Sequence, residues 1–400
     1  MILYYDPDKQ SWFHTEAEQE YTFGVDEIPV PYRNKPSSSS IPFHLGYRKK
    51  NNLGPFLGIL AGRKNERNII GNGPLFKKLQ EEILDYGGLS FVFTLEDMRE
   101  QQVDGYLYLP YKEQWLLVKL PIPHLVYNRL PFRKMEQTEQ FQSAIRLFQK
   151  KDVCFFNPSF LDKYQLYKIF KEDAHLSRYF PETIIIQDRL SLESFLDQYK
   201  DIYVKPSSAA KGRGIYRMIK NEKILVQGLK KDQTFTDFDE LWKEYRAKLT
   251  KVPYIAQKSI SPLLHEGNRY DFRVLAHFDG EKYIVTGIGI RQSVEQSVTT
   301  HIPNGGRLIP QQEVLKEKDK QFIKEVVQRC GDILTKEIGF FGEFSMDAGL
   351  TENEDYVIYE INSKPMSFDE KDIEEARVRQ LVQLFGHSFY TDGKGFRYLF

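Results

Sequence analysis

The sequence predicts a soluble multidomain protein joining α/β and α+β architecture, and three observations carry that expectation. Its 400 residues exceed one ordinary domain and suit two or three. Between residues 55 and 94 an apolar strand, an amphipathic helix and a second apolar strand follow in the order that builds a parallel sheet. Beyond residue 250 long alternating strands take over, as in an α+β region.

Residues 1–45 are aromatic and break at Pro29, Pro31, Pro36 and the Ser37–Ser40 run, so a small β-rich N-terminal module is expected. Residues 46–155 form the expected α/β domain, with strands at Pro55–Ala61, Leu89–Thr94, Gly105–Leu109, Gln114–Val118 and Leu125–Tyr127. Its helices are expected at Asn72–Tyr86, where Leu75, Leu79 and Ile83 recur at helical spacing, and at Gln137–Lys150. Residues 156–400 form the last domain. It opens with a helix over Asp162–Glu172 and strands at Glu182–Ile186 and Tyr203–Lys205. Strands Tyr254–Ser259, Tyr270–Phe278 and Lys282–Arg291 follow, then a helix over Asp319–Glu337 and strands Phe341–Leu350 and Tyr356–Asn362.

Composition removes several functions. The 56 basic and 56 acidic side chains cancel, which argues against coating nucleic acid or an anionic membrane by bulk charge. Cys154 and Cys330 are too few for a disulfide framework and lack metal-ligand spacing, so a reducing, cytoplasmic setting is expected. No basic and apolar signal segment opens the chain, and no apolar run approaches the ~18 residues of a membrane span. Gly-x-Ser-x-Gly, Walker A and His-Glu-x-x-His sequences are all missing.

The chemistry gathers after residue 200. Lys205 ends a strand, and Ser207-Ser-Ala-Ala-Lys-Gly-Arg-Gly214 follows it. Small residues let backbone N–H groups approach phosphate oxygens, and lysine adds a point charge; a plain glycine hairpin with solvated lysines is the alternative. Asp271 and Arg273 alternate onto one face of an apolar strand, where two charges need each other, a ligand or solvent. Strands ending in Phe344-Ser-Met-Asp-Ala-Gly349 and Val357-Ile-Tyr-Glu-Ile-Asn362 should pair as a hairpin. Glu360 and Asn362 then share a face, with Asp347 across from them. Such hard oxygen ligands suit Mg²⁺. Without a metal they would repel one another, so Glu360→Gln is expected to stabilise the apo protein slightly. Asn304-Gly305-Gly306 marks either a loop that folds over ligand or an ordinary surface turn.

Taken in order, Lys168 in its helix, Val204-Lys-Pro206 with its glycine loop, Asp271-Phe-Arg273, Arg291, the Asn-Gly-Gly loop, Asp347 and Glu360-Ile-Asn-Ser-Lys-Pro365 resemble the ATP-grasp superfamily, in particular its YheC/YheD-like branch of endospore coat-associated proteins. The resemblance runs from about Gly54 to the C-terminus. It implies an ATP-grasp fold of two lobes with nucleotide between them, preceded by a small α/β domain. It assigns phosphate binding to Lys168 and Lys205, with Lys211, Gly212 and Gly214 in the loop, and nucleotide contacts to Asp271 and Asn304. Gln257 and Lys258 become the adenine-reading hinge. Arg273 and Arg291 face the transferred phosphoryl group, and Asp347, Glu360 and Asn362 hold Mg²⁺, with Mn²⁺ as the alternative ion. Two stretches depart from sparer family patterns: the loop carries an extra lysine and arginine, and Ser363-Lys364-Pro365 follows Asn362.

The implied activity is ATP-dependent joining of a small-molecule or peptide carboxylate to an amine or thiol through an acyl phosphate. A small-molecule kinase built on the same grasp is one alternative. A spore coat protein that keeps the fold without catalysis, with other coat proteins as partners, is another. Neither nucleic acid nor membrane is an expected partner.

Overall fold

A computed structural model describes residues 1–47, 49–65, 68–208, 214–228, 231–293 and 306–391. The N-terminal module holds one small sheet of its own (Ser11–Phe13, Ile2–Asp6 and Ile41–His44) and shares a second (Ile28–Pro29, Thr22–Phe23) with strand Asn52–Leu53 from beyond residue 45. Its aromatic side chains pack onto the next domain, as Phe23 does on Phe56 with ring centroids 4.5 Å apart.

Strands Leu89–Phe93, Phe56–Leu60, Leu125–Asn128 and Cys154–Phe156 lie side by side and parallel, as the strand–helix–strand order requires. The hairpin Gln102–Leu109 and Gln114–Pro121 adds two antiparallel strands at one edge, so the sheet is mixed. Helix Gly73–Asp85 starts where the Asn72 side chain accepts the Leu75 N–H at 3.3 Å, with Pro74 in its first turn. It lays Leu75, Leu79 and Ile83 on the sheet.

Two antiparallel sheets follow. The first runs Thr183–Ile185, Tyr254–Lys258, Asp201–Pro206, Tyr216–Lys220, Ile224–Gly228 and Gln233–Phe235. Helices Arg189–Tyr199 and Phe238–Leu249, capped by Asp188 and Asp237, cover one face with Leu192, Leu196, Leu241 and Tyr245. Because side chains alternate along a strand, Ile202 and Val204 enter that core while Tyr203 and Lys205 point to the open face.

The second sheet runs Gly306–Leu308, Tyr283–Ser293, Asn268–Phe278, Glu343–Leu350 and Tyr356–Asn362. Phe272, Val274 and Ala276 pack on helix Glu317–Glu337 through Ile323, Val327, Cys330 and Leu334. Asp271 and Arg273 therefore face away from that core. A bulge after Asp347 re-phases the last strand, where Asp347 pairs with Glu360 but Ala348 already pairs with Ile358. Tyr359 is the extra residue. Ile358 and Ile361 thus both reach the core, and Glu360 and Asn362 turn outward.

Helix Lys371–Tyr390 is the last element among the described residues. Val378, Leu381 and Phe385 bury against Leu57, Leu79 and Tyr127, so the C-terminal segment covers the parallel sheet as well as the final lobe.

Candidate functional site

The open faces of the two antiparallel sheets carry the charged residues. From the first comes Lys205, whose Nζ donates to Gln257 Oε1 at 2.8 Å; Gln257 in turn donates to Thr183 Oγ1 at 3.0 Å. Burial pushes the Lys205 ammonium down to about 8, against the opposing pull of Glu360. From the second come cross-strand partners: Asp271 opposite Arg291, Arg273 opposite both Gly289 and Asp347, and Asp347 opposite Glu360. Ser345 opposite Asn362 places that amide beside the two carboxylates.

A lysine joins the sheets, though not the one expected. Lys168 is exposed and rests its Nζ 5.5 Å from the Tyr164 ring centre. Asp162 caps the same helix through the Tyr164 and Gln165 N–H groups. That cap makes Lys163 the first helical residue, and its Nζ donates to Glu360 Oε1 at 2.7 Å. Five residues at 3.6 per turn separate the two lysines by about 140°, so only one can face the cleft. The Asp-Lys pair was the overlooked signal, because the cap fixes which lysine points inward. Lys163 also offsets the expected repulsion at Glu360, which lies opposite Asp347 but pairs with this lysine and acts on Lys205.

Arg273 is 6% exposed; it donates to the Met366 carbonyl at 3.2 Å and stacks 4.6 Å from the Phe368 ring centre. Burial lowers its pKa, Asp347 opposes that fall, and its Nε has no hydrogen-bond partner among the described residues. Arg291 is equally buried. Lys258 is exposed, with its Nζ 5.6 Å from the Tyr199 ring centre, and its backbone N–H is held by the Glu182 carbonyl. Gly214 has φ +74°, and a Cβ there would meet the Tyr254 hydroxyl at 2.9 Å, so the end of the loop needs glycine. Lys211, Gly212 and Asn304 lie outside the described residues.

The Lys364 ammonium is buried inside the protein. It pairs with Glu136 at 2.5 Å and donates to Asn128 Oδ1 at 2.9 Å, and burial lowers it to about 8. Nearby, Glu343 is fully buried and receives Arg377 at 2.7 and 2.8 Å, Arg129 at 2.9 Å and the Tyr127 hydroxyl. Arg129 and Arg377 also bind the Pro365 carbonyl, one residue from the carbonyl that holds Arg273. This network ties the parallel domain to the segment following Asn362, and the sequence reading missed it because Arg129, Glu343 and Arg377 lie far apart in the chain.

The donor set fits a nucleotide with its divalent ion. Two carboxylates and one amide are hard oxygen ligands, too few to enclose an ion alone, and phosphate oxygens would complete the shell. Among the described residues no group of three or more His, Cys, Asp or Glu could hold a metal independently. The half-buried Lys205 and the buried Arg273 supply cations that phosphate oxygens in the cleft would neutralise.

Two antiparallel lobes facing each other in this way define an ATP-grasp protein. The profile of the family described as "YheC/D like ATP-grasp" matches residues 152–387, and the chain belongs to that family. It is 27% identical over 334 residues to the endospore coat-associated protein YheD of Bacillus subtilis, covering 78% of this chain and 73% of that one. Among solved structures it resembles the D-alanyl-alanine synthetase A of Vibrio cholerae, with a TM-score of 0.52, 14% identity and coverage of 84% of this chain and 99% of the other. The VanG D-Ala:D-Ser ligase of Enterococcus faecalis gives a TM-score of 0.50 at 12% identity over 84% and 99% of the two chains. At these identities the structural likeness speaks for the fold.

Proposed function

We propose that the protein is a Mg²⁺-dependent ATP-grasp ligase that activates a carboxylate as an acyl phosphate and joins it to an amine. The observation that carries this reading is the convergence of Lys205, Lys163, Arg273, Asp347, Glu360 and Asn362 on the facing sheets. In this reading Lys163 and Lys205 bind nucleotide phosphates, with Lys163 in the role first given to Lys168. Gln257 and Lys258 line the hinge, and Gly214 closes the phosphate loop with Lys211 and Gly212. Asp347, Glu360 and Asn362 would hold Mg²⁺, which when bound neutralises phosphoryl charge. Arg273 and Arg291 stabilise the phosphoryl group in transfer, and Asp271 orients Arg291 from the neighbouring strand. No side-chain nucleophile is required.

Product analysis tests the proposal. ATP, Mg²⁺, candidate carboxylates and hydroxylamine as a trapping nucleophile should give ADP, phosphate and a hydroxamate. A stable phosphorylated product with no hydroxamate would show a kinase instead. The relation to YheD, named for an endospore coat association, extends the proposal to a spore-associated role.

A further inference from the structure

Glu370 lies where the segment after Asn362 meets the second sheet, at the N-cap of helix Lys371–Tyr390. A Cβ built on Gly289 would stand 2.3 Å from Glu370 Oε1, so the carboxylate rests directly on that glycine. Gly289 is the cross-strand partner of Arg273, which puts the carboxylate on the sheet face that carries Arg273 and Arg291. Only glycine leaves room for it there.

Glu370 also lines a cleft of about 320 Å³ at the edge of strand Tyr283–Ser293. Ile288, Ile290, Leu308, Ile309 and Pro310 form its other walls, and Gln311 Nε2 closes the Ile288 carbonyl at 2.6 Å. Among the described residues no ion pair or side-chain hydrogen bond engages the Glu370 carboxylate. Burial raises its pKa, partly offset by its own backbone N–H and by Arg291 and Arg273, while Asp369 adds to the rise. An apolar cleft of this size with one anionic group suits a small molecule bearing a single cationic head.

We propose that this cleft binds the acceptor amine, a primary ammonium on a short apolar body, with Glu370 as its anchor and proton acceptor. The assignment rests on the ligase reading. The ammonium gives one proton to the Glu370 carboxylate, and the freed nitrogen lone pair attacks the carbonyl carbon of the acyl phosphate. The C–N bond forms as the C–O bond to phosphate breaks with its electron pair leaving on phosphate. Phosphate then takes the nitrogen's surplus proton. Arg273 and Arg291, on the same face, are placed for the departing phosphate.

The test is a ligand-observed NMR titration of the full-length protein, with and without ADP and Mg²⁺. Leucinamide, its des-amino counterpart 4-methylpentanamide, and 4-methylpentanoate serve as probes. Leucinamide should bind at least about tenfold more tightly than either, and Glu370→Gln should abolish that preference. Gly289→Ala, which pushes a methyl group into the carboxylate's place, should also weaken leucinamide binding and covers the case in which Glu370→Gln fails to fold. Equal binding of the three probes, preference for 4-methylpentanoate, or an unchanged leucinamide preference in folded Glu370→Gln overturns the assignment. Nucleotide binding without leucinamide binding overturns this assignment alone, whereas absence of nucleotide binding overturns the ligase reading together with it.

Discussion

Lys205 in its folded setting is a weaker base than a free lysine because burial disfavours its charged form. The sign of the linkage follows. With a folded pKa of about 8 against the ordinary lysine value of 10.5, the protonated side chain costs stability below about pH 8, and that cost is relieved as pH rises from about 8 toward 10.5. Nucleotide phosphates beside the ammonium would raise the pKa again. Calorimetry of ATP binding at about pH 8.5, in buffers of different ionisation enthalpy, should therefore show net proton uptake. Lys205→Ala should remove the uptake and weaken binding by about 1.5–3 kcal/mol. Glu360→Gln should act in the opposite sense to the repulsion argument from sequence, because the Lys163 pair is lost. Apo stability should fall by up to about 1 kcal/mol, while Mg²⁺-dependent nucleotide binding falls at least about tenfold. Thermal melts and titration of the same variant check both halves.

At the scale of elements, the Glu343 cluster makes one unit of strand Leu125–Asn128, strand Glu343–Leu350 and helix Lys371–Tyr390. Burial alone would raise the Glu343 pKa, but Arg377, His277 and Arg129 together hold it far below the usual carboxylate range. Its stabilising contribution is present above the unfolded value of about 4.3 and is lost progressively as pH falls below it. Arg377→Ala leaves a carboxylate short of a partner in a water-free site and should cost about 3–5 kcal/mol, read as a shift in denaturant midpoint. Because the same arginine holds the Pro365 carbonyl, the variant should also loosen the segment that positions Arg273. The long strands of the second sheet, the Glu360–Asn362 hairpin and strands Thr183–Ile185, Asp201–Pro206 and Tyr254–Lys258 of the first are legible because alternation and turn residues are local signals. The short, mixed-polarity strands Tyr216–Lys220, Ile224–Gly228, Gln233–Phe235 and Gly306–Leu308 carry no such pattern. Helices Arg189–Tyr199, Phe238–Leu249 and Lys371–Tyr390 lie outside the elements that the sequence predicts. The last is buried on several sides, so its apolar residues form no single stripe.

Across the whole molecule, residues scattered from Lys163 to Asn362 meet because two antiparallel sheets turn their open faces to one cleft. The order of Lys205, Arg273, Asp347, Glu360 and Asn362 made the fold readable from sequence. The choice of Lys163 over Lys168, and the approach of Glu370 to Gly289, depend on helix phase and on contacts between distant segments. The most direct test of the account is a calorimetric titration of the wild-type protein with a non-hydrolysable ATP analogue, with Mg²⁺ and then with a chelator. One-to-one binding that weakens at least about tenfold without Mg²⁺ is the predicted result. No binding with Mg²⁺ present, or binding that is indifferent to the metal, would contradict the placement of a metal–nucleotide site between these sheets.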